Sequence, residues 1–222
     1  MPNLNFSQRR KLIRVGAVSC YVACIGDFLV TILLAMLSPG YDSLEQPESF
    51  LSVSGSPVAP WFAAWSVAFS GLLILSSLGI MAAFRQRHSA SITVLASLIT
   101  LYGIGEGIIS GVFPFDIVNG RLSVSAQIHE VASIVGQIGL YLVPVAGWYA
   151  LRREYPLIKG LSILVIVSGS IFVLLYNASK LHLVSYRGLW QRLFMATYFL
   201  YLMYLALLAD RRARDLPSPN RA

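Results

Sequence analysis

Residues Val15–Leu37 read VGAVSCYVACIGDFLVTILLAML, a run of 23 residues with one charged side chain, Asp27. A helix that crosses the hydrocarbon of a bilayer needs about 20 mostly apolar residues. The run is long enough to span, and a carboxylate near its middle is too costly there to lack a reason. Ala17-Val18-Ser19-Cys20 faintly resembles a lipoprotein cleavage site. The apolar stretch before it is shorter than the ~7–15 residues of a signal peptide, and the apolarity continues well past the cysteine. The run is therefore read as an uncleaved first transmembrane helix. Cys20 and Cys24 lie one turn apart on one face, where a disulfide would constrain little, and are read as small packing residues.

The pattern recurs. Apolar runs occupy residues 15–37, 61–84, 90–113, 127–151, 157–176 and 189–209, each long enough to cross with some tilt. Ser38-Pro39-Gly40 and Pro114-Phe115-Asp116 break the chain between runs, as do basic clusters such as Arg152-Arg153. Hydrophobic residues are 56% of the chain and charged ones 12%, with mean hydropathy +0.68. A soluble domain carries about twice that share of charge. The net charge of +7 comes from short clusters flanking apolar runs, which is helix anchoring at a membrane face and excludes nucleic acid as the partner. The expected architecture is an all-α integral membrane protein. Its parts are a cytoplasmic segment 1–14, a single six-helix transmembrane bundle over 15–209, and a disordered cytoplasmic tail over 210–222.

Lys and Arg set the orientation. With the N-terminus inside, the inner segments hold Arg9, Arg10, Lys11, Arg14, Arg85, Arg87, Arg152, Arg153, Lys159, Arg211, Arg212, Arg214 and Arg221. The outer side holds only Arg121, Lys180, Arg187 and Arg192. Positive charge inside therefore places both termini in the cytoplasm. The longest loop, residues 38–60, then lies outside and carries Asp42, Glu45 and Glu48.

The costly polar residues gather in the same outer half. Asp27 lies roughly 16 Å below the outer end of its span and Glu106 roughly 10 Å below the end of the third, at 1.5 Å per residue. His129 and Glu130 open the fourth span, with Ser133, Gln137 and Tyr141 following Glu130 on the same face. Asp116 and His182 sit in outer loops. Asp27, Glu106, Asp116, His129, Glu130 and His182 are thus candidates to surround one pocket, and Lys180, Arg187 and Arg192 are candidate partners for their carboxylates. His88, beside Arg85 and Arg87, is read as a solvated loop residue. Gly103, Gly107 and Gly111 recur every four residues, a stripe that admits a close neighbouring helix. Asp27 is a candidate to be carried in beside Glu106 on that neighbour.

Pro39-Gly40-Tyr41-Asp42, Ser52-Val53-Ser54-Gly55-Ser56-Pro57 and Gly111-Val112-Phe113-Pro114-Phe115-Asp116, with His129 downstream, together carry a resemblance. The chain resembles the bacterial six-helix family of domain of unknown function 998 over about residues 15–209. That family is in turn similar to the eukaryotic FRAG/DRAM/Sfk membrane proteins. The resemblance implies a six-helix bundle in the cell membrane (a bacterial inner membrane), an outer-face site shared by Asp116 and His129, and a link to lipid.

Three functions compete. The first is a non-enzymatic protein that binds a lipid headgroup or another membrane protein through the outer pocket, with no cofactor. The second is a membrane-embedded metal-dependent hydrolase with Asp116, His129 and His182 as weak candidate ligands, since two His with a carboxylate can hold zinc. The third is a proton-coupled carrier using Asp27 and Glu106. Phosphate-binding loops, HExxH and GxSxG are absent from the sequence, and three histidines cannot ligate two haems.

Overall fold

The computed structural model describes residues 4–84 and 89–216. Arg85, Arg87, His88 and the tail beyond Leu216 lie outside the described residues. Six helices are long and apolar enough to cross a membrane: α1 (Phe6–Met36), α2 (Ala59–Phe84), α3 (Ala90–Val112), α4 (Val124–Leu151), α5 (Leu157–Lys180) and α6 (Arg187–Arg214). The protein is an all-α membrane bundle. α1 starts about two turns before the apolar run because Asn5 and Gln8 close a capping box on its first backbone N–H groups. Apolarity marks the span; the cap marks the helix. Likewise α6 continues to Arg214, past the expected end of its span.

Each helix packs on its neighbour in the chain, and α6 returns to α1, so the six form a closed ring. Small residues bring the axes together. A Cβ on Gly16 of α1 would lie 2.7 Å from the Cα of Gly79 in α2, and one on Gly105 of α3 would lie 2.8 Å from the Cα of Gly136 in α4. Val18, Val22, Ile25, Leu29, Ile32 and Met36 are exposed along one stripe of α1, while Ala17, Cys20, Cys24, Asp27, Thr31 and Leu34 are buried along the other. An apolar stripe that no protein covers is what a lipid-facing helix presents.

Two connections are ordered at the end of the bundle opposite the basic clusters. The long loop after α1 forms a 3-10 turn over Glu48–Ser52, and its Leu51 is buried with Leu34, Val58 and Phe62. After α3, β1 (Ile117–Val118) and β2 (Arg121–Leu122) pair antiparallel around Asn119-Gly120. Both turn residues have positive φ, the two-residue turn that an Asn-Gly pair favours.

Candidate functional site

At this same end the helices enclose a cavity of about 120 Å³. A single water needs roughly 10–15 Å³ of such space, so the cavity suits a small polar group and not a folded acyl chain. Side chains from all six helices and the long loop line it.

Asp27 of α1 is buried in its wall, 7% exposed. The indole Nε1 of Trp65 in α2 donates to Asp27 Oδ1 at 2.9 Å. Gly26 makes room for that indole, since a Cβ there would lie 2.6 Å from the ring. Oδ2 has no hydrogen-bond partner among the described residues.

Glu106 sits in a distorted stretch of α3. The helix is α up to Tyr102, widens to a π-helix over Gly103–Ile109, and returns to α over Ser110–Val112. π-turns inside α-helices recur at functional sites. Ser133 Oγ at 2.6 Å and Gln137 Nε2 at 2.9 Å both donate to Glu106 Oε1. Oε2 has no hydrogen-bond partner among the described residues. The glycine stripe faces α2: a Cβ on Gly107 would lie 2.6 Å from Ser70 Cβ, and one on Gly111 would lie 2.5 Å from Ser66 Cβ. The neighbour that the stripe admits is therefore α2 and not α1. Asp27 reaches the cavity from another side and makes no hydrogen bond with Glu106.

His129 is 5% exposed, and its Nδ1 lies 2.8 Å from the carbonyl of Phe113. A carbonyl only accepts, so Nδ1 carries a proton; in the neutral ring Nε2 is then an acceptor. Glu130 and Lys180 form an ion pair at 3.8 Å across the cavity mouth. Lys180 and Arg187 both lie over the ring of Tyr176, at 5.1 and 5.0 Å from its centroid. Arg187 also donates to the Tyr176 hydroxyl at 3.0 Å, while its Nε is buried with no hydrogen-bond partner.

Glu48 lines the cavity from the long loop and was absent from the sequence candidates. Arg192 of α6 lies 3.6 Å from its carboxylate, and Thr31 donates to it at 3.4 Å. Burial pushes the Glu48 carboxyl above its usual range; Arg192 and the Thr31 hydrogen bond act against that shift. Arg192 further donates to the carbonyls of Ser43, Gln46 and Gly188 and to the Tyr41 hydroxyl, fastening the loop to α6. Burial lifts Tyr41 to about 12 despite the nearby guanidinium.

Four of the six candidates, Asp27, Glu106, His129 and Glu130, line the one cavity, whereas Asp116 and His182 do not. Asp116 accepts from Ser54 N at 2.7 Å and Ser54 Oγ at 2.6 Å, and Phe115 N donates to Ser52 Oγ at 3.2 Å. Those bonds join the two sequence stretches, 52–57 and 111–116, into one clamp. His129 meets the clamp through Phe113 and through the ring of Phe115 at 5.3 Å. His182 is exposed in the turn after α5, at φ 58. Among the described residues no three His, Cys, Asp or Glu side chains gather as a metal site, so Asp116, His129 and His182 do not form the ligand set that a hydrolase would need.

A family model described as "Protein of unknown function (DUF998)" matches residues 21–208. No curated protein and no solved structure matches the chain.

Proposed function

This chain belongs to the DUF998 family of proteins of unknown function, and we propose that it binds the polar headgroup of a lipid in its cavity without catalysing a reaction on it. One observation carries the reading. Asp27 and Glu106 each use one carboxylate oxygen on the protein and leave the other unpartnered, and both line the same cavity. An unpartnered ionisable group at this depth costs several kcal/mol. A fold that keeps two has a use for them, and a ligand supplying donors is the simplest.

Asp27, Glu106, His129 and Glu130 are the proposed binding residues. Asp116 serves as the clamp that holds the cavity's roof, and His182 has no part. The positive-inside bias turns the cavity to the outside of the cell membrane, within reach of outer-leaflet headgroups. After extraction in a mild detergent and purification, mass spectrometry is expected to find about one lipid retained per chain. Protein that comes through free of lipid, with a thermal midpoint that added lipid does not move, would contradict the reading.

A further inference from the structure

We propose that the ligand is a zwitterion, with a primary ammonium between Asp27 and Glu106 and, one short linker away, a phosphate or carboxylate at Arg187 and Lys180. The inference rests on the headgroup reading above and narrows it to one class of chemistry.

The charges of the cavity do not cancel in place. Glu48 is paired with Arg192, and Glu130 with Lys180. Among the described residues that leaves Asp27 and Glu106 without an ion-pair partner within 4.0 Å, and Arg187 without a paired acid. A ligand that completes this set carries positive charge at one end and negative charge at the other.

The free atoms specify the ends further. Asp27 Oδ2 and Glu106 Oε2 are bare acceptors. They call for N–H donors. A primary ammonium offers three, whereas a quaternary ammonium offers none. A divalent hard cation would need six or more oxygens, and no cluster of three ligating side chains exists among the described residues. At the other end, Arg187 Nε is a buried donor without an acceptor, and an arginine fork matches the oxygens of phosphate or carboxylate.

The vertical order agrees. Ser133 and Gln137, which hold Glu106, lie three and seven residues further along α4 than Glu130, the partner of Lys180. The carboxylate is therefore roughly 5–10 Å below the Lys180 ammonium. That is the span of a short aminoalkyl phosphate with its amine pointing into the membrane. Two sources share this chemistry: an aminophospholipid headgroup, and a soluble amino-phosphate from outside.

The test uses the full chain in detergent micelles, read by native mass spectrometry and thermal midpoint. The probes are phosphatidylethanolamine, phosphatidylcholine and phosphatidylglycerol with identical acyl chains, and soluble phosphoethanolamine. Phosphatidylethanolamine is expected to bind about 10-fold or more tighter than the other two lipids. Asp27→Asn with Glu106→Gln, near-isosteric changes, is expected to abolish that preference while the midpoint shows a folded protein. Arg187→Met is expected to weaken all three lipids alike and to keep the preference for the amine. Phosphoethanolamine binding as tightly as the lipid supports the zwitterion with a soluble source; binding of the lipid alone supports it with a membrane source. Equal retention of the three lipids, or a preference that survives the double amide variant, overturns the zwitterion while leaving headgroup binding intact. Retention of no lipid and no phosphoethanolamine overturns both.

Discussion

Asp27 and Trp65 show how one side chain's position depends on another's absence. The indole reaches Oδ1 only because residue 26 has no Cβ to meet it. Trp65→Phe removes the donor and keeps most of the ring. It is expected to lower stability by about 1–3 kcal/mol, read from thermal or denaturant unfolding in a defined micelle, because a buried acceptor is left unmet. Adding Asp27→Asn should change the cost of Trp65→Phe, and strictly additive effects would mean that the two do not interact. Asp27 and Glu106 were legible in the sequence because an acid inside an apolar run is costly wherever the run packs. Glu48 was not legible, because its loop looks polar and soluble. Its burial depends on Arg192, far away in the chain, whose only signal was a cation set inside the sixth apolar run. Asp116 was expected among the pocket residues and is bonded to Ser54 instead, in a loop whose docking no local pattern encodes. Asp116→Ala is expected to speed exchange of the Ser54 amide several-fold, about 1 kcal/mol of local opening, by hydrogen–deuterium exchange.

The third helix is the element that makes the site. Its glycines let it press on α2 through Gly107 and Gly111 and on α4 through Gly105, while the π-turn carries Glu106 between them. Gly107→Ala would place a Cβ 2.6 Å from Ser70 Cβ and 2.7 Å from the Ser66 carbonyl, so helix axes must move. A loss of about 1–3 kcal/mol is expected in the same unfolding assay. Gly71→Ala is the control, at an exposed position of α2 with no atom within 4 Å, and should be neutral or mildly stabilising. The four-residue glycine spacing foretold a close helix contact, with α1 and its Asp27 as the candidate neighbour. The structure gives α2, since spacing names a face and not the neighbour that meets it. The widening of α3 left no such trace. Asn119-Gly120 between Ile-Val and Arg-Leu was a readable hairpin signal that the apolar runs around it overshadowed.

At the scale of the whole molecule the six-helix architecture was nearly all present in hydropathy, because a bilayer forces each run to satisfy its own backbone. The ring order and the cavity were not, since they depend on which faces meet. Orientation is tested by labelling intact cells with a membrane-impermeant maleimide. Cys20 and Cys24 are buried at 1% exposure and should stay silent. With the cavity facing out, Ser54→Cys labels in intact cells and Arg153→Cys only after permeabilisation; the reverse pattern would turn the cavity inward. The most direct measurement is an experimental structure of the full chain extracted together with its native lipids. The expected result is non-protein density in the cavity within hydrogen-bond distance of Asp27 Oδ2 and Glu106 Oε2. A cavity closed by side chains, with the two carboxylates bonded to each other or to protein donors, would contradict the account.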